Sequence, residues 1–282
     1  MSVLPVRFPS STLSPGQTGR LLDLPREKAG WEWMSFFVTR LQPGQTLDAI
    51  TETEEAAFVL LGGTCVANWG EGQQLIGKRK HVFDGLPYAL YLSPHARASF
   101  IAETECEIAE CRVPSQAGLT SKLITPDDIA TNLRGGGNVS RQIVDVLPSS
   151  FQADKLVVVE VYTPGGNWSS YPPHKHDIHD PPKESDHNEI YYYRIARPEG
   201  FAFQYLYSDQ DVTGQTIRAR DGDAILVRSG YHPVVAGPGY DVYYLNFLAG
   251  SSRALAVTED QNHSWIRSAW NGPDPRLPLV RR

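Results

Sequence analysis

Residues 221–232 read DGDAILVRSGYH, and residues 84–95 read DGLPYALYLSPH. Each is an Asp-Gly turn, a short apolar run and a polar loop that holds a histidine. Two further stretches match in the same order. LQPGQT (41–46) is echoed by YTPGGN (162–167), each behind an apolar run. EEAAFVLLGG (54–63) is echoed by NEIYYYRI (188–195), each with an acid at the head of an apolar run. Three matches in one order, at similar intervals, predict two copies of one β-unit of roughly a hundred residues.

The remaining runs fit that reading. WEWMSFFV, SFIAE, IAECRV, KLVVVEVY, FAFQYLY, HPVVA and DVYYLNFLAG are rich in Val, Ile, Phe and Tyr and are bounded by Gly, Pro, Asp or Asn. They predict strands of antiparallel sheets. Strand spacing of this kind suits a barrel or a sandwich, and pattern alone does not choose between them. The clearest helical signal is ITPDDIATNL (124–133), where Thr125 before Pro126 reads as an N-cap. GGG at 135–137 reads as the link between the copies.

Composition narrows the function classes. The chain has 282 residues, 41% of them hydrophobic, enough for real cores, and a formal net charge of -6 without a dense Lys/Arg cluster. A small-molecule partner is therefore expected, rather than nucleic acid or an anionic membrane. No apolar run is long enough to span a bilayer and the first residues lack a signal-type apolar stretch, so a cytoplasmic protein is expected. The cysteines Cys65, Cys106 and Cys111 are odd in number and have no CxxC spacing. They predict neither a disulfide framework nor a thiolate metal site. The sequence also holds no Gly-rich dinucleotide fingerprint or phosphate loop, so no nucleotide cofactor is expected.

The chemistry concentrates in YPPHKHD (171–177). In an extended strand, His174 and His176 project from one face. Glu189 heads the strand that follows, and His232 closes the turn-strand-loop of 221–232. Three imidazoles and a carboxylate suit one divalent ion such as zinc, manganese, iron, cobalt or nickel. An HxH pair by itself is equally compatible with an ordinary polar surface. His179 and His187 lie in DIHDPPKESDHN, a polar segment that reads as a loop or lid at the pocket, and His81, His95 and His263 lack a partner at ligand spacing. In the first copy LDAIT (47–51) replaces the HKH, with Glu55 as a lone acid. Tyr191 and Tyr193 share the parity of Glu189 and are candidate proton relays or hydroxyl contacts; alternating tyrosines also simply pack. Gln204 and Arg228 are candidates to orient a sugar or its carboxylate.

The order PG, HxH, Glu at a strand head, then Gly-turn-strand-His resembles the two motifs of the cupin fold, and the tandem pair resembles a bicupin. Twelve residues separate His176 from Glu189, and Arg228 stands where the second motif usually has proline; both depart from the common pattern. RGGGNVSRQIVDVLP, YPPHKHD, EIYYYR, DGDAILVRSGYHPVVAGPGYDVYYLN and DPRLP resemble the 5-deoxy-glucuronate isomerase family of bacterial myo-inositol catabolism across almost the whole chain. The resemblance implies an all-β bicupin of two tandem antiparallel jelly-roll barrels. Its first domain, with an N-terminal arm, would span 1–134 and be metal-free; the second, 135–250, would hold the metal; 251–282 would pack on the barrels. It implies His174, His176, Glu189 and His232 as ligands of one divalent ion, and isomerisation of 5-deoxy-D-glucuronate to 2-deoxy-5-keto-D-gluconate without a redox cofactor. Rival readings are the related uronate ketol-isomerase of pectin breakdown, a cupin dioxygenase and a non-catalytic sugar-binding cupin. A homo-oligomer is compatible with all of them.

Overall fold

A computed structural model of the chain describes residues 6–30 and 32–282. Met1–Pro5 of the N-terminal arm, and Trp31 at the head of the WEWMSFFV run, lie outside them. The apolar runs form strands as their alternation requires, and every strand pairing given with its register is antiparallel. Among the described residues the one α-helix is Arg26–Ala29, and no helix is long and apolar enough to cross a membrane.

Two compact units are present. One holds residues 10–129, 146–157 and 280–282; the other holds 130–145, 158–279 and, among the described N-terminal residues, 6–9. The units therefore interleave along the chain, unlike the single cuts expected at 134 and 250. The reason is local pairing. Ala130–Arg134 pairs with Arg141–Leu147 in a hairpin, with Arg134 opposite Arg141, so GGG at 135–137 lies in a turn inside one unit and is not a link. Gly135 takes φ +86, and a Cβ there would meet the carbonyl of Val139 at 2.0 Å, which reserves the position for glycine.

The helix expected over 124–133 is absent. Thr125 and Asp128 do bond as a cap would, with the Thr125 N–H donating to Asp128 Oδ2 at 2.9 Å, but they close a single turn. No 3.6-residue apolar stripe follows to sustain a helix, and the chain extends into Ala130–Arg134.

The internal repeat is visible in the strand order. In the 10–129 unit the larger sheet runs Lys122–Ile124, Ala89–Leu92, Glu54–Gly62, Cys106–Pro114, Ser35–Leu41, Gly19–Leu24. In the other unit it runs Arg7–Phe8, Ala224–Val227, His187–Ile195, Val242–Gly250, Val157–Thr163, Arg141–Leu147, with Ala130–Arg134 added at the edge. The smaller sheets correspond too: Thr46–Ile50, Arg97–Ala102, Cys65–Trp69, Gly72–Ile76 against Trp168–Ser169, Val234–Ala236, Ala202–Leu206, Gln215–Ala219.

Register then assigns equivalent residues. Ala56 pairs with Leu92 and Phe58 with Leu90; Glu189 pairs with Val227 and Tyr191 with Ile225. The counterpart of Glu189 is thus Ala56, one residue from the Glu55 that the sequence suggested. A shift of one turns a side chain to the opposite face. Ala56, Phe58 and Leu60 point into an apolar core with Phe100, Cys106 and Ile108. Glu55 points away from it and is fully buried, accepting from the Tyr91 hydroxyl at 2.7 Å and from the backbone N–H groups of Asp154, Lys155 and Leu156 at 2.7, 2.7 and 2.8 Å. Its role is architectural. The three cysteines are free and buried.

Candidate metal centre and its cavity

Period-two alternation in the larger sheet of the second unit turns alternate side chains inward. Arg141, Ile143 and Asp145, then Val159 and Val161, then His187, Glu189 and Tyr191, then Tyr244, Asn246 and Leu248 line one cavity of about 440 Å³. His174 and His176 enter it from the extended segment His174–Lys175, which pairs with Thr258–Glu259.

His176, Glu189 and His232 are buried, and their ligand atoms lie within 4.8 Å of one another. Glu189 Oε2 stands 3.0 Å from His176 Nε2 and 3.3 Å from His232 Nε2. His174 stands beside them, its ring centroid 4.9 Å from that of His232, although its nitrogens are not within that mutual span. His187 lines the cavity but turns its Nε2 to the carbonyl of Ser252 at 2.6 Å, away from the cluster.

The ring orientation of each candidate ligand is set by the backbone. His174 Nδ1 meets the carbonyl of Pro172 at 3.1 Å, His176 Nδ1 that of His187 at 3.1 Å, and His232 Nδ1 that of Gly230 at 2.8 Å. A carbonyl oxygen only accepts, so each Nδ1 carries a proton; Nε2 of His174 and His232 is left as a lone pair, and that of His176, 3.0 Å from Glu189 Oε2, carries a proton unless a cation takes its place. Nδ1–H with a free Nε2 is the tautomer in which imidazole binds a metal, with the partner of the other nitrogen fixing the ring. His232 Nε2 is buried, and its 3.3 Å approach to Glu189 lacks hydrogen-bond geometry.

Charge balance points the same way. Burial pushes His174 down to about 3, with His232 and His176 adding to the shift. Burial is the largest single effect on His176 and Glu189 too and works against their charged forms, but their mutual hydrogen bond and charge attraction, joined on the Glu189 side by His232, together outweigh it, holding His176 above its ordinary value and Glu189 well below the carboxylate range. One positive charge therefore belongs beside Glu189, supplied by a proton on His176 or by a cation. The donor set of imidazole nitrogens and one carboxylate fits a divalent cation of the zinc, manganese, iron, cobalt or nickel type.

The other residues singled out from sequence fall in different places. Tyr191 lines the cavity, its hydroxyl 3.0 Å from Ser170 Oγ, and burial together with the charge of Glu189 raises its pKa well above the ordinary range. Tyr193 is buried behind it and donates to Gln204 Oε1 at 3.0 Å. Gln204 and Arg228 are not among the described residues that line the cavity. Of the segment 177–188, read as a loop or lid at the pocket, only His187 lines the cavity; Glu184 ties the rest down by accepting from the N–H groups of Asp177 and Ile178 at 2.6 and 3.2 Å. Trp270 lines the cavity, whereas Trp265 is exposed. Arg141, Ser170, Tyr244 and Asn246 were not anticipated. Inward parity along strands 141–147 and 242–250 was the signal that could have found Arg141, Tyr244 and Asn246; Ser170 lies on neither strand.

The KduI/IolB family model matches residues 9–266. A 5-deoxy-glucuronate isomerase from Geobacillus thermodenitrificans is 42% identical over 262 residues, covering 92% of this chain and 96% of that one. The solved structure of an IolB-like protein from Salmonella typhimurium LT2 superimposes with a TM-score of 0.89 at 34% identity, over 93% of this chain and 99% of that one. Bacillus subtilis oxalate decarboxylase shares the bicupin fold at 14% identity, with a TM-score of 0.62 over 92% of this chain and 80% of that one. With the family model spanning most of the chain and relatives of this identity matching nearly end to end, the chain is an enzyme and belongs to the KduI/IolB family.

Proposed function

We propose that the chain is a metal-dependent aldose-ketose isomerase that converts 5-deoxy-D-glucuronate to 2-deoxy-5-keto-D-gluconate. The observation that carries this reading is the set of three imidazoles, each with Nδ1 committed to a backbone carbonyl, gathered around Glu189, with His174, His176 and Glu189 on the wall of a cavity of sugar size and His232 buried behind them. The name of the Geobacillus thermodenitrificans relative supports the substrate. His174, His176, Glu189 and His232 would hold one divalent ion, in this unit alone. When bound, that ion would polarise a carbonyl oxygen and offset the negative charge that gathers on it as the adjacent C–H is lost.

The chain's own hydroxyls serve the proton on the substrate's oxygen. Tyr191 keeps its proton at neutral pH and is placed to donate it to a substrate oxygen, with Ser170 Oγ 3.0 Å away as the route for its return. Tyr244, whose hydroxyl lies 3.4 Å from the same Ser170 Oγ, extends that chain. Tyr193 and Gln204, bonded to each other, support the Tyr191 wall without reaching substrate. Val159, Val161, Leu248 and Trp270 give the cavity apolar walls that limit water.

The reading is tested by supplying metal-loaded protein, without NAD or oxygen, with 5-deoxy-D-glucuronate and separately with the 4-deoxy hexosulose uronate of pectin breakdown. A kcat/KM at least tenfold higher for the former is expected. The reverse preference would replace the assigned reaction with that of the ketol-isomerase.

A further inference from the structure

Arg141 is more than nine-tenths buried, yet it lines the cavity. Among the described residues no carboxylate pairs with it. Its two hydrogen bonds both leave from Nη1, to the neutral carbonyls of Val139 at 3.2 Å and Tyr171 at 2.9 Å. The Nε–Nη2 edge, the one that matches a carboxylate in a fork, makes no hydrogen bond among the described residues. Burial without a counter-charge lowers its pKa to about 10. A guanidinium held in this way is costly unless an anion joins it.

The other unit shows what a closed version looks like. There Glu110 sits opposite Phe58, as Asn246 sits opposite Tyr191, so Asn246 stands in the place of Glu110. Glu110 receives Arg20 Nη1 at 3.0 Å and Arg112 Nε at 2.5 Å. Arg20 belongs to Gly19–Leu24, the strand whose place in the sheet order Arg141–Leu147 takes. One unit therefore gives the arginine of that strand, itself exposed, a buried acid as partner, and the other puts a neutral amide where the acid would be. The remaining cavity arginines differ from Arg141: Arg267 is paired with Glu259, and Arg134 is exposed. Arg141 is also fixed relative to the candidate metal centre. It holds the carbonyl of Tyr171 while His174 holds that of Pro172, the next one along.

We propose that Arg141 binds the carboxylate of the sugar-acid substrate and makes the cavity select anionic over neutral sugars. The proposal deepens the isomerase reading and rests on it for the identity of the acid. The planar fork of Arg141 receives the carboxylate while the aldehyde end of the same molecule lies toward His176, Glu189 and His232. Asn246 leaves room and charge for it where a glutamate would repel it.

The test compares the metal-loaded wild type with Arg141→Gln and Arg141→Lys on 5-deoxy-D-glucuronate and on its neutral analogue, in which a hydroxymethyl group replaces the carboxylate. Calorimetric binding of D-glucuronate and D-glucose is measured in parallel. Expected for Arg141→Gln is a fall of about 100-fold in kcat/KM on the acid, mostly in KM, and for Arg141→Lys a fall of about tenfold, as loss of a charged, forked contact implies. The neutral analogue should change by less than about threefold in both. Thermal midpoint and metal content establish that each variant is folded; if the glutamine variant is not, the lysine variant carries the comparison. Equal losses on acid and neutral sugar, or an unchanged KM for the acid, would overturn the assignment. If the wild type isomerises nothing but binds D-glucuronate over D-glucose, and the arginine variants lose that preference, Arg141 stands and the reaction falls. D-glucuronate bound no better than D-glucose by the wild type would overturn the role of Arg141.

Discussion

His232 Nε2 lies 3.3 Å from Glu189 Oε2 with its Nδ1 already committed to the carbonyl of Gly230, so a lone pair faces a carboxylate inside a buried pocket. Such a pair is stable only with a positive charge between or beside its members. Replacing His176, His232 or Glu189 by Ala is expected to remove most bound divalent metal and at least 100-fold of the activity, and His174→Ala to lower both. Elemental analysis of protein dialysed against trace metal checks this. Full metal occupancy in His232→Ala would show that the ligands have been misassigned.

Glu55 anchors the 154–156 backbone in the first unit through three accepted hydrogen bonds and accepts a fourth from the Tyr91 hydroxyl. Glu55→Gln sets an amide NH2 against N–H donors and is expected to cost about 3 kcal/mol, because buried donors lose their acceptor. Chemical denaturation followed by circular dichroism measures it; a change under about 0.5 kcal/mol would contradict the role.

Asp274 joins the DPRLP segment to the PGGN turn. It accepts from Arg276 Nε at 3.0 Å and from Asn167 Nδ2 at 3.0 Å, and its own N–H donates to Ser140 Oγ at 2.9 Å. The Arg276 guanidinium above all holds its carboxyl well below the usual range. A depressed folded pKa gives stability that is present above the ordinary carboxylate value and is lost as pH falls through the folded value. Arg276 is half exposed, so the gain is modest. Asp274→Asn should lower the thermal midpoint at pH 7 by about 2–6 °C. The gap to wild type should narrow below about pH 4. A gap that widens in acid would contradict the sign.

Much of this was legible in the sequence because strand alternation and turn residues are local signals. The PG turns, the strand heads and the HxH pair survive in the order that the sheets later take. Glu55 misled because a motif match tolerates a one-residue slip that the pleat does not; only the Ala56–Leu92 and Glu189–Val227 registers resolve it. ITPDDIATNL misled because a cap without an apolar stripe makes only a turn. Arg141 was missed because RQIVDVL stands in the sequence only as part of the family-like stretch RGGGNVSRQIVDVLP and was not singled out as a strand, and its lack of a counter-charge is a property of the packed sheet, not of the sequence around it.

Proton NMR of 5-deoxy-D-glucuronate with metal-loaded protein in a sealed anaerobic tube, with no NAD present, tests the isomerase reading. The aldehyde signal should decay as 2-deoxy-5-keto-D-gluconate appears in equal amount, and His232→Ala under the same conditions should leave the aldehyde unchanged. A persistent aldehyde in the presence of wild-type protein that demonstrably holds its metal would contradict that reading, as would product that forms only after oxygen is admitted.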